Sequence, residues 1–218
     1  MVAHTPRYAV VDVETTGFRT SEQDRVVEIA IVHAGPSGEV TGEWATLVDP
    51  GRDPGPESVH GITAADLGGA PAFGEIAGTV AALLRGRIVT AHNLPFDARF
   101  LAYEFRLLGF EVPVHHRLGV CTMAWGAHFL PGAPSTLAGC CALAGIPLDG
   151  NHEALVDARA AAGLLRHYIE RAAPVVPWRH LFHTALDAPW PEVPDLGTPW
   201  VPRRDARTGP RIADASDR

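Results

Sequence analysis

Lysine is absent from this 218-residue chain, in which all 18 basic residues other than histidine are arginine. Set against 25 acidic residues, they leave a formal charge of −7. A broad basic stripe of the kind that usually grips a phosphate backbone is therefore not expected. That weighs against indiscriminate attachment to nucleic acid. It does not exclude a nucleic-acid substrate, because carboxylates that hold divalent cations belong to the same acidic count. The missing lysine itself is read as compositional bias. Cysteine is scarce as well: Cys121, Cys140 and Cys141 offer no C-x-x-C spacing, which excludes a disulfide framework and the usual zinc spacings. No apolar run approaches the ~20 residues of a membrane span. The sequence opens into Arg7-Tyr8-Ala9-Val10-Val11-Asp12 without a charged leader and apolar core. The expectation is a cytoplasmic protein without membrane contact.

What is present is a chain that is 46% apolar, enough for one substantial core. Residues 7–13 form an apolar, β-branched run stopped by Thr15-Thr16-Gly17, as a buried strand entering a turn does. Val26 to Val32 and Val40 to Val48 read as two more strands around Gly35-Pro36-Ser37-Gly38, followed by a Gly/Pro-rich loop from Asp49 to Pro56. Helical spacing appears from Ala72 to Leu84, a short buried strand from Ile88 to Ala91, and helical spacing again from Phe96 to Leu108 before Gly109. Short helices are predicted over 121–129 and 135–144, and a long alanine-rich one from Glu153 to Arg171. Strands first, then strands alternating with helices, indicate a mixed α/β domain over residues 1–173. From Pro174 the composition turns to proline, with tryptophans at 178, 190 and 200. This 174–218 extension is expected to hold no regular core element, to pack in part through its tryptophans, and to be disordered from Arg203.

Three places carry chemistry. Asp12 and Glu14 stand two residues apart at the end of the first strand, so alternation points both to one face, ~7 Å apart along the backbone. Two acids there repel and are costly to desolvate unless a cation sits between them. His92-Asn93-Leu94-Pro95-Phe96-Asp97 follows the short strand and puts Asp97 in the first turn of a helix. By itself an acid there serves the helix dipole. His152-Glu153-Ala154-Leu155-Val156-Asp157-Ala158 opens the long helix, with Asp157 facing the core and His152 just before it.

In this order the three resemble the DEDDh, or DnaQ-like, family of 3′→5′ exonucleases over residues 7–170. The matching motifs are Asp-x-Glu-Thr-Thr-Gly at 12–17, His-Asn-x-x-Phe-Asp at 92–97 and His-x-Ala-Leu-x-Asp-Ala at 152–158. Val59-His60-Gly61-Ile62-Thr63 resembles the family's loop before its first helix, and Cys121-Thr122-Met123 departs from the Asp-Thr-Leu of many relatives. The resemblance implies a ribonuclease-H-like mixed five-stranded sheet flanked by helices. It implies that Asp12, Glu14, Asp97 and Asp157 hold two divalent cations, Mg²⁺ or Mn²⁺, with His152 as general base, the residue type that titrates near neutral pH. Implied substrate contacts are the Thr15 and Thr16 amides to a terminal 3′-hydroxyl, Phe96 beside the last base, and His60, His92 and Asn93 around it. The implied partner is nucleic acid with a free 3′ end, single-stranded DNA foremost, and the extension is a candidate tether to a polymerase or another protein. The competing expectation is a silent binding module of the same fold, although the chain retains all four acids and the histidine.

Overall fold

The computed structural model describes residues 7–148 and 152–203. Its centre is a five-stranded sheet built from β1 (Tyr8–Thr15), β2 (Val26–Ala34), β3 (Val40–Leu47), β4 (Ile88–Ala91) and β5 (Val120–Cys121), in the order β3-β2-β1-β4-β5. The first three strands form an antiparallel meander, and β4 and β5 join parallel to β1. The helices are α1 (Glu57–His60), α2 (Phe73–Leu84), α3 (Leu94–Leu107), α4 (Thr122–Phe129), α5 (Leu137–Ala144), α6 (Ala154–Ala172) and α7 (Leu181–Asp187). This is the ribonuclease-H-like architecture expected from the resemblance.

β1 is central, with helices covering both of its faces, and so reads as a near-continuous apolar run. Tyr8 and Val10 join the core under α6, whereas Ala9, Val11 and Val13 join the core under α2 and α3. Strand alternation then fixes the parity: Asp12 and Glu14 follow Tyr8 and Val10 onto the α6 side. The register of β1 against β2 shifts between Glu14 and Thr15, a bulge beside the candidate site. After it, Gly17 lets the chain turn tightly, since an added Cβ would collide with the Asp24 carboxylate. Arg25 bonds Glu104 in a bidentate pair (2.9 and 2.7 Å), and Glu104 also accepts from the Val26 amide, which fastens α3 to the start of β2.

The extension packs through its tryptophans, but the expectation that it holds no regular core element needs correction. Trp178 is 1% exposed, among the largest fully buried side chains, and donates from Nε1 to the Tyr8 hydroxyl at 3.0 Å. It packs with Trp125 and Phe129, and α7 follows it as a regular helix. Proline at 174 and 177 blocks helix only up to that point, and the run from Leu181 is free of it. Beyond α7, Trp190 meets Phe105 edge-on and Asp195 bonds Thr79. Arg203, expected to begin a disordered end, is bonded. The rest of that expectation, 204–218, lies outside the described residues. Among the described residues no helix is long and apolar enough to cross a membrane.

Candidate active site

Three parallel strands end on one side of the sheet, where ligands of such sheets usually bind, and the motif residues gather there. A cleft of about 340 Å³ is lined by Asp12, Glu14, Asp97, His152 and Asp157 together with Thr15, Phe18, Val59, His92, Asn93, Phe96 and Leu137. Ligand atoms of Glu14, His152 and Asp157 lie within 4.8 Å of one another, a group able to hold a metal ion. Asp12 and Asp97 line the same cleft without joining that tight triplet.

Each acid has a positional cause. Asp12 and Glu14 share the β1 face described above. Asp97 sits at the start of α3 because β4 delivers the chain there, and its Oδ1 accepts the Val13 amide at 3.2 Å. Asp157 lies in the first turn of α6, where Oδ2 accepts the His152 amide at 3.2 Å. Its Oδ1 is buried without a hydrogen-bond partner among the described residues.

The electrostatics follow from crowding. Burial, then the neighbouring acids Asp97, Asp157, Glu14 and Glu28, push the Asp12 carboxyl well above the usual range. Glu14 is raised to about 8, first by burial and then by Glu28 and Asp157, with Arg203 opposing. Asp97 and Asp157 are raised as well, chiefly by burial. Carboxylates so placed are short of positive charge, and a buried carboxylate oxygen stands unpaired among them. Hard dications favour such an all-oxygen donor set with a histidine at its edge, so the residues fit the expected metal.

Comparison with known proteins identifies the family. The exonuclease family model (RNase_T) matches residues 9–165. The chain belongs to the DEDDh, DnaQ-like exonuclease family. It is 31% identical over 166 residues to the DNA polymerase III subunit epsilon of Escherichia coli K12, covering 72% of this chain and 68% of that one. It is 36% identical over 174 residues to a DNA polymerase III subunit epsilon-like protein of Rhodobacter capsulatus, covering 74% of this chain but only 24% of that relative's length. Among solved structures, Exonuclease X in complex with 5′ overhanging duplex DNA superposes with a TM-score of 0.60 at 25% identity, over 79% of this chain and 95% of that one.

Within this DEDDh frame, several expected substrate contacts are engaged elsewhere. Thr16 does not line the cleft: its amide donates to the Arg25 carbonyl at 2.9 Å and its hydroxyl to Asp24 Oδ1 at 3.0 Å. That amide is not free for a 3′-hydroxyl. His60 is 2% exposed; its Nδ1 accepts the Ile62 amide (3.0 Å), which leaves the proton on Nε2 for the Pro54 carbonyl (3.1 Å). It orders the loop instead of meeting substrate. His92 lines the cleft, but its ring nitrogens face Thr122 Oγ1 and the Ser135 carbonyl, so it serves as wall. Cys121, at the position that departs from the family pattern, donates its thiol to the His92 carbonyl at 3.3 Å. Thr15, Asn93 and Phe96 do line the cleft; the Asn93 side chain makes no cap to α3 and is exposed.

Three further residues bear on the site without belonging to any sequence motif. Glu28 pairs with Glu14 across β1 and β2, is 3% exposed, and accepts the Ala154 amide at 3.2 Å. An acid inside Val26-Val27-Glu28-Ile29 was a visible signal that only register could place. Phe18, 67% exposed at the mouth, lies 6.5 Å from Phe96, with the Arg99 guanidinium 5.4 Å from the Phe96 ring. Arg203 is the third.

Proposed function

We propose that the protein is a metal-dependent 3′→5′ exonuclease that removes 5′-nucleoside monophosphates from a strand with a free 3′ end, single-stranded DNA foremost. The observation that carries this reading is the convergence of Asp12, Glu14, Asp97, Asp157 and His152 on one open cleft. The four carboxylates would hold two dications, Mg²⁺ or Mn²⁺, which when bound lower the pKa of the attacking water and stabilise charge on the phosphodiester. His152, exposed beside Glu14 and Asp157, takes the proton of that water. The water oxygen bonds to phosphorus, the bond to the penultimate 3′-oxygen breaks, that oxygen takes a proton from solvent to become the new 3′-hydroxyl, and His152 returns its proton to solvent. Phe18 and Phe96 offer the terminal base an aromatic wall, with Arg99 adding cation–π support. Asn93, exposed, and Thr15, whose hydroxyl donates to the Gly17 carbonyl at 2.6 Å but can still accept, are the polar groups left to meet the last nucleotide.

A tether role for the extension is not favoured, because its described part packs on its own domain. The silent-module alternative predicts no turnover at all. The test is a matched set of 5′-labelled oligonucleotides, single-stranded DNA, mismatched duplex DNA and RNA, incubated with Mn²⁺ or EDTA. A one-nucleotide ladder with monophosphate products, fastest on single-stranded DNA and absent in EDTA, is expected. Cleavage in the middle of strands, or a ladder that persists in EDTA, would reject the reading.

A further inference from the structure

The extension finishes its described course at the edge of the active site. Leu47 donates its amide to the Val201 carbonyl at 2.8 Å, and the Val201 amide donates to Thr46 Oγ1 at 2.9 Å. The segment thus lies along the free side of β3, the outer strand of the sheet. Its Val201 side chain packs on the small cluster of Val27, Leu47, Ile62 and Leu67. Two residues later Arg203 turns inward, its side chain 16% exposed. The guanidinium donates to the Glu28 carboxylate at 3.3 Å, to the His152 carbonyl at 2.9 Å, and to the His60 carbonyl. A planar fork with several fixed donors suits acceptors in several directions, which a lysine ammonium cannot match.

His152 needs such support. Its φ is +60°, in the left-handed region, which a non-glycine residue rarely adopts and keeps only where surroundings enforce it. Both of its backbone polar groups are held: the amide by Asp157 Oδ2 and the carbonyl by Arg203. Glu28 closes the set, accepting from Arg203 on one side and from the Ala154 amide of α6 on the other.

We propose that Arg203 is a positioning residue: strapped across β3 by its own segment, it clamps the His152 backbone so that the ring is presented to Glu14 and Asp157. This rests on the exonuclease reading above, with His152 as proton acceptor. A plain ion pair to Glu28 would make Arg203 structural and independent of His152. The two roles separate in a double-mutant cycle.

The test uses the full chain. Arg203→Ala and Arg203→Lys are made in the wild-type and His152→Ala backgrounds, kcat and KM are measured on single-stranded DNA, and hydrogen exchange is followed over residues 152–157 of the metal-free protein. Arg203→Ala is expected to lower kcat roughly 10- to 100-fold with KM changed less than about threefold, to cause no further loss when His152 is already alanine, and to speed exchange at 152–157 about tenfold. Arg203→Lys, which keeps charge and bulk, should recover only part of kcat. Equal fold-losses in both backgrounds, or an effect confined to KM, would overturn the proposal. So would unchanged exchange at 152–157, whatever the activity. An inactive wild type whose 152–157 exchange still accelerates in Arg203→Ala would reject the exonuclease reading and leave the clamp standing.

Discussion

Replacing Asp12 by asparagine should reduce nucleotide release by roughly 10³-fold or more, equivalent to ~4 kcal/mol of lost transition-state stabilisation. The size follows from position. Asp12 is on the central strand and feels Asp97, Asp157 and Glu14 at once, so its loss disturbs the whole carboxylate set. The fold should survive and even gain, because a neutral amide of equal size relieves the repulsion that pushes Asp12 and Glu14 upward. Circular dichroism and a melting temperature equal to or above wild type, together with the missing ladder, are the expected pair of results. A variant within tenfold of wild type would remove Asp12 from the reaction.

Trp178→Ala should destabilise the protein by ~3–5 kcal/mol, the usual effect of deleting a buried large aromatic. For a domain of this size that corresponds to a melting temperature lower by roughly 6–20 °C. The indole is 1% exposed, contacts Trp125 and Phe129, and bonds the Tyr8 hydroxyl. Its removal leaves both a cavity and a buried phenol without its donor. Trp178→Phe should recover most of the stability, since packing outweighs the single bond. If Trp178→Ala melted within about 2 °C of wild type, the 174–203 segment would be a loose appendage, as a tether to another protein requires.

The sequence was legible where local pattern and chemistry coincide. Asp12 and Glu14 are read from strand alternation, Asp97 and Asp157 from their places at helix starts, and the resemblance ties them together. β5 has no local signature, because two residues show no period, and a fifth strand is expected only through the resemblance. α7 and the burial of Trp178 were hidden by the surrounding prolines, whose effect on the backbone is local while the core contact to Tyr8 spans the chain. For Thr16 and His60, nothing in a linear motif tells which backbone groups return to occupy an amide or a ring nitrogen. Glu28 needed the β1–β2 register, and Arg203 needed the path of a segment whose composition gives no hint of it.

The most direct test of the site is calorimetric titration of the metal-free protein with Mn²⁺. Two ions are expected to bind the wild type, with affinity rising from pH 6.5 to 8.5: Glu14, raised to about 8, must give up its proton to bind, so the ion competes with fewer protons as the pH climbs. Asp12→Asn should lose at least one of the two ions. Mn²⁺ binding that is absent in the wild type, or unchanged in both stoichiometry and affinity by Asp12→Asn, would contradict a metal site formed by these converging carboxylates.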